Sequence, residues 1–176
     1  MRTVTYGAAC SLDMFIAGPD ESMDWLLWTD DVTAVMAQFW KNVDAVVTGR
    51  KTYEFALKAG GGGSVPGVTG YVCSRTLSDS DVKGETIVRD AVPFLHDLKR
   101  QPGKGICVMG GGELARSLFE AGLIDEVGVN IHPVLLGAGV PMFPGPFHKT
   151  DLELVESRAL TGGCVLANYR VKRAAS

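Results

Sequence analysis

Residues 106–122 read "ICVMGGGELARSLFEAG": an apolar run, three consecutive glycines, then apolar residues at helical spacing. The run "ICVM" has the length and composition of a buried strand. Leu114, Leu118 and Ala121 recur at steps that place them on one helical face. Strand, glycine turn and helix in that order make the unit from which parallel α/β sheets are built. Two readings of Gly110-Gly111-Gly112 stay open. A turn without Cβ atoms lets a phosphate approach the backbone, where free N–H groups and the helix dipole favour an anion. The same turn can also serve only to fold the helix back onto the sheet. Glu113 suits this second reading, because its carboxylate can satisfy the helix N-terminus and would repel a phosphate. The spacing departs from the Rossmann GxGxxG pattern, which needs glycine where Ala115 stands.

The pattern recurs at residues 46–54, "VVTGRKTYE", where a strand ends at Gly49 and a helix begins. Arg50 and Lys51 occupy its first turn, where cations oppose the dipole, so an anion would offset the cost; Thr52 adds a hydroxyl donor. The alternative is a solvated basic pair. This is no Walker A loop, since Arg50 separates the glycine from Lys51. A third strand end, "CSRTL" at 73–77, places Ser74 and Arg75 where a hydroxyl and a guanidinium fork could hold a terminal phosphate. By itself that stretch reads as a loop. Together, three such strand ends would line one edge of a single sheet, as a ligand with several phosphates requires.

Around these stretches the chain alternates strands and helices to about residue 131. "TVTYGAAC" predicts a central strand, "SLDMFIAGPDESMD" a loop, and Asp24–Trp40 a helix with Leu27, Val32, Val35, Met36 and Phe39 on one face. "VDAVVTG" is a buried strand and "RKTYEFALKAG" a helix ended by glycine. "GGGGSVPGVTG", Gly60 to Gly70, reads as a mobile surface loop. "YVCS" and "ETIVRD" are strands, "AVPFLHDLKRQ" a helix, "GICVM" and "EVGVNIHP" strands. "DLELVESRAL" and "CVLANYRV", joined through Gly162-Gly163, form an antiparallel hairpin or edge. The expected fold class is α/β: a mostly parallel central sheet, helices on both faces and antiparallel C-terminal strands.

With 176 residues the chain is expected to be one domain, 1–176, and its 46% hydrophobic and 21% charged residues are ordinary for a globular protein. A formal net charge of -3 gives no general attraction to nucleic acid or anionic membrane. "MRTVTYGAACSLDMF" lacks the apolar core of a signal peptide, no segment has the length of a membrane span, and the cytoplasm is the expected compartment. Cys10, Cys73, Cys107 and Cys164 are far apart, and Cys73 and Cys107 read as buried free thiols. His96, His132 and His148 are isolated, so no zinc site is expected.

The order of "SLDMFIAG", "VVTGRKTYE", "CSRTL" and "VMGGGELARSLFEAGLIDEVGVNIHPVLLGAGVPMF" resembles the dihydrofolate reductase superfamily. The likeness is greatest to the reductase domain of the bifunctional riboflavin-biosynthesis deaminase-reductase, and it runs from about Val4 to Arg170. It implies a dihydrofolate-reductase-like fold that binds NADPH in extended form. By matching position, Gly49, Arg50, Lys51 and Thr52 would hold the pyrophosphate and help with the adenosine 2′-phosphate. Ser74 and Arg75 would complete the 2′-phosphate site. Gly110, Gly111 and Gly112 would pass the pyrophosphate and nicotinamide side, and Ala9 and Ile16 would flank the carboxamide. Residues 17–24 match a mobile loop that covers the nicotinamide.

In dihydrofolate reductases an acid on the first helix, five residues past a tryptophan, anchors the pterin. Trp25 and Asp30 have that spacing, with Asp31 adjacent, which makes Asp30 the catalytic candidate; the loop before Trp25 is one residue longer than the family pattern. "WTDD" equally reads as a helix start, Thr29 capping and both aspartates in the first turn. Asp13 matches a family acid near the same pocket and can also serve a turn. No zinc-binding deaminase motif accompanies the reductase-like stretch, so a stand-alone reductase of another substrate is expected as much as a riboflavin-pathway enzyme. The resemblance therefore implies an NADPH-dependent reductase of a pterin-like, ribosylaminopyrimidine-like or carbonyl-type small molecule, as a homodimer with "EVGVNIHPVLLG" and the C-terminal strands offering an apolar face. A protein that binds NADP(H) without turnover is the alternative, and a different phosphate-bearing ligand a third.

Overall fold

The computed structural model describes residues 1–58 and 65–173. Strand β1 spans Val4–Ser11, β2 Phe15–Ala17, β3 Val43–Gly49, β4 Thr69–Cys73, β5 Thr86–Val88, β6 Gly105–Met109, β7 Glu126–His132, β8 Val140–Pro141, β9 Leu152–Ala159 and β10 Val165–Val171. Helix α1 spans Asp30–Lys41, α2 Arg50–Lys58, α3 Ala91–Arg100 and α4 Gly112–Glu120. The main sheet runs β5-β4-β3-β6-β1-β7-β10-β9. Its pairings are parallel from β5 to β7, and β10 lies antiparallel to both β7 and β9. This is the expected α/β class, and β1 is central as read.

Alternation of side chains across the pleat assigns the faces. Val4 and Tyr6 of β1, Ala45 and Val47 of β3, Ile106 and Val108 of β6, and Val127 and Val129 of β7 meet Leu95 and Leu98 of α3 and Ala115 and Leu118 of α4. The opposite face is covered by α1: Phe39 and Trp40 pack on Val43, Val46 and Cys107, while Val32 joins Leu160, Cys164 and Leu166. Nearly every residue of the first set is fully buried, as the interior of a two-faced parallel sheet requires.

Several boundaries differ from the sequence reading. The helix expected from Asp24 begins at Asp30, because residues 24–29 are held by other partners: the Leu27 backbone N–H donates to His132 Nδ1 at 3.2 Å. The stretch read as one loop contains β2, which pairs with β8 about 125 positions away in a second, two-stranded sheet. Met142 N–H donates to Met14 O at 2.9 Å, and Tyr6, its hydroxyl raised well above its usual range by burial, donates to Met142 O at 2.7 Å. These bonds seat residues 142–144 over the start of α4. Residues 59–64, with the glycine expected to end α2 and most of the glycine-rich loop, lie outside the described residues. No described helix is long and apolar enough to cross a membrane. Cys107 is buried and Cys73 half-buried.

Candidate cofactor and substrate site

The strand register settles which turns are neighbours. Gly49 pairs with Cys73, Cys73 with Val88, and Thr48 with Met109. One step beyond those pairs stand Arg89, Ser74 and Arg50, with Gly110 level with Gly49, in that order along one edge. At the ordinary strand spacing the row covers about 15 Å. The three stretches singled out in the sequence therefore meet, and Arg89, which the sequence reading missed, joins them from the end of β5.

The glycine triplet divides its work. Gly110 and Gly111 hold φ of +57° and +65°, the left-handed region that glycine enters without penalty. A Cβ on Gly110 would stand 2.8 Å from Thr52 Oγ1, so this glycine lets the α2 start close against β6. A Cβ on Gly112 would stand 2.2 Å from Pro144 Cδ, so this one serves packing. Gly111 meets nothing closer than 3.5 Å, and Gly49 nothing within 4 Å. Those two leave bare backbone beside open space. Gly110 and Gly112 thus serve the tight turn, while Gly111 keeps the close backbone approach open.

The α2 first turn contains no acid, and it carries Arg50 and Lys51 against the dipole. Arg50 is paired with Glu54 one turn on, at 3.1 Å and exposed, so part of its charge is met within the helix. Among the described residues neither Lys51 nor Arg75 has a carboxylate partner, and both are exposed. Ser74 is buried, and its Oγ accepts from the N–H groups of Thr76 at 3.2 Å and Leu77 at 3.0 Å. This local turn aims residue 75 outward. The Arg89 guanidinium donates to Ser74 O at 2.9 Å, bringing a second cation to the same turn.

The acids fall into two groups. Asp31 accepts from the backbone N–H groups of Thr161 at 2.6 Å and Val32 at 2.9 Å and from the Thr29 hydroxyl. Those bonds, Thr161's first, lower its pKa to about 2. Thr29 occupies the N-cap position but makes no capping bond, so the capping expected of it is done by Asp31. Asp13 accepts from Ser11 Oγ at 2.6 Å and from the N–H groups of Gly137 at 2.8 Å and Leu136 at 3.2 Å; the Ser11 bond leads in lowering its pKa. Both acids clamp distant loops. Asp30 is exposed at the first position of α1.

Ala9 extends two residues past Gly7, the last β1 residue paired with β6, and Ile16 is half-buried on β2. The segment after β2 is closed by Gly18 N–H donating to Ser22 O at 2.9 Å and Glu21 N–H to Gly18 O at 3.0 Å. Beyond it Trp25 packs edge-on against His132, ring centroids 5.4 Å apart. His132 is buried, and burial lowers its pKa. Burial disfavours the thiolate form, pushing Cys10 up to about 11 and Cys73 and Cys107 up to about 12.

A fold of this topology is compared most directly through its family. The model of the RibD C-terminal domain matches residues 2–166. The chain belongs to that family. Two Bacillus subtilis (strain 168) proteins, both described as uncharacterized, are similar along nearly their whole length. YyaP is 28% identical over 179 residues, covering 96% of this chain and 94% of its own. YwjB is 32% identical over 155 residues, covering 87% and 88%. Among solved structures, a Shewanella sp. PV-4 protein superposes with a TM-score of 0.82 at 24% identity, covering 97% of this chain and 99% of its own. A pyrimidine reductase-like protein from Corynebacterium diphtheriae gives 0.73 at 17% identity, covering 98% and 92%. Dihydrofolate reductase from Enterococcus faecalis, in complex with NADP(H) and RAB-propyl, gives 0.70 at 16%, covering 97% of each chain. At these identities the structures establish the dihydrofolate-reductase-like fold, and the RibD C-terminal family supports a reductase-type activity for this member.

Proposed function

We propose that this RibD C-terminal family member is an NADPH-dependent reductase of a small heteroaromatic or carbonyl-type substrate, pterin-like or ribosylaminopyrimidine-like. The observation that carries the reading is the row along the strand ends: Arg89 and Arg75 beside Ser74, then Gly49 to Thr52, then Gly110 and Gly111. The residues fit the cofactor. Arg75 and Arg89 offer guanidinium forks to a 2′-phosphate. The starts of α2 and α4, with Lys51 and the open backbone of Gly49 and Gly111, suit a pyrophosphate. NADPH bound there would supply a hydride, and the chain's task is alignment and exclusion of water. Ala9 and Ile16 would flank the carboxamide, residues 17–24 would close over it, and Asp30 would anchor a polar group of the substrate.

We also place the protein in the cytoplasm as a homodimer. Of the stretches expected to offer an apolar face, β7 lies inside the sheet with Val127 and Val129 buried. The large apolar residues exposed in those stretches are Leu135, Val165 of β10 and, on the edge strand β9, Leu152, Leu154 and Val155. An unpaired edge of this kind invites a second copy.

The engagement of Asp13 and Asp31 as loop clamps favours one other reading, a protein that binds NADP(H) without turnover. Loss of NADPH absorbance with a panel of pterin and pyrimidine acceptors separates the two. The reductase reading expects steady consumption with at least one acceptor; binding without consumption across the panel would favour the sensor. NADPH that leaves tryptophan fluorescence unchanged would sink both.

A further inference from the structure

Among the described residues, two buried polar side-chain atoms have no hydrogen-bond partner, Trp25 Nε1 and Asn130 Oδ1. Both side chains flank His132. The Trp25 ring packs edge-on against it, and Asn130 Nδ2 stands 3.2 Å from its Nε2. The backbone N–H of Leu27, which can only donate, points at His132 Nδ1 at 3.2 Å. Nδ1 must then be the acceptor, and a neutral imidazole with an accepting Nδ1 carries its proton on Nε2. An Nε2–H facing the amide needs an oxygen there. The two ends of an asparagine amide have the same outline, and their hydrogen-bond network decides which is which. With the oxygen turned to Nε2–H, the donor–donor contact and the orphaned oxygen vanish together, and the NH2 occupies the unpartnered place.

We infer that Asn130 NH2 and the Trp25 indole N–H form a donor-only subsite that recognises a neutral acceptor on the substrate, a lactam carbonyl or ring nitrogen. His132 is the positioning residue that holds the amide this way round. Two buried donors without acceptors are costly to keep, and both are uncharged, so the group they suit is polar and neutral. Asn130 pairs in register with Ala9 and with Leu166, which clusters with Val32 and Val35 of α1. The subsite therefore lies between α1 and the sheet, beside the residue assigned to the carboxamide. Its role as a substrate site rests on the reductase reading; the donor arrangement does not.

Nitrogen NMR of the full chain tests the arrangement first. His132 should carry its proton on Nε2 at neutral pH; a proton on Nδ1 would overturn the inference. Titration with the lactam pyridone should then move the Trp25 indole and Asn130 amide N–H resonances together, while toluene moves neither. Trp25→Phe, which keeps an aromatic ring against His132 while removing the N–H donor, should weaken pyridone by about tenfold. Asn130→Asp should abolish the preference for pyridone over toluene. Unmoved donors with pyridone, an unweakened Trp25→Phe variant, a preference kept in Asn130→Asp, or donors that move with NADPH alone would each overturn the assignment. A protein that passes these arms but fails to bind NADPH would lose the reductase reading and keep the subsite.

Discussion

The two edges of the main sheet both carry cations, in opposite circumstances. Where the parallel strands begin, Arg2 pairs with Asp44, and Lys99 and Arg173 both pair with Asp125, which also accepts the Val4 N–H. Arg2 and Lys99 are buried there, and Lys99 donates to Leu123 O as well. A cleft of about 340 Å³ at this edge is lined by those same neutralised groups. Where the strands end, Lys51 and Arg75 are exposed beside bare glycine backbone, with no carboxylate partner among the described residues. Charges satisfied within the chain join its elements together. Charges left open beside bare backbone are the ones that the proposed cofactor site draws on.

The comparison breaks most readily at Lys99. Lys99→Ala removes the buried cation from Asp125, leaving it the exposed Arg173 and the Val4 N–H, and should cost about 3 kcal/mol in urea unfolding, with NADPH affinity of the folded protein unchanged. A cost under about 1 kcal/mol would mean that the lower edge is no clamp. The glycines sharpen the upper edge. Gly112→Ala drives a methyl into Pro144 and should lose about 1–3 kcal/mol of stability. Gly111→Ala should cost about 1 kcal/mol through its left-handed φ, and should lose proportionately more NADPH affinity. If the two variants lose stability and affinity in the same ratio, the division between packing glycine and ligand glycine is wrong.

The smallest effect concerns acid. Asp31 titrates near 2 in the folded chain, below the ordinary value of about 3.9. A depressed folded pKa contributes stability that is present above the ordinary pKa and lost as pH falls from about 5 towards 2. Asp31→Asn should lower stability modestly at neutral pH and flatten its decline over that window. Denaturation curves with the same acid slope in both proteins would show that Asp31 does not join α1 to Thr161.

Much of this was legible in the sequence because its signals are local. The strand–glycine–helix units at Gly49 and Gly110, the Ser74 turn and the C-terminal hairpin each announce themselves within about ten residues. What escaped depends on distant partners. β2 exists because β8 reaches it, and the start of α1 is displaced because Leu27 and Trp25 spend their contacts on His132. Asp13 and Asp31 bond to backbone more than 120 positions away, so spacing alone could not separate clamp from catalyst. Arg89 follows a short strand with no motif, and only the register places it beside Ser74. Asn130 and His132 looked like ordinary strand residues until their hydrogen bonds could be counted.

In the proposed function the strand-end row holds NADPH, with Arg75 at the 2′-phosphate. Titrating NADPH and NADH against the native protein and Arg75→Ala tests it most directly, because the two ligands differ only at that phosphate. The native protein should prefer NADPH, and Arg75→Ala should lose about ten- to a hundredfold for NADPH while NADH changes by less than about twofold. Equal losses for both cofactors, or no preference in the native protein, would contradict it.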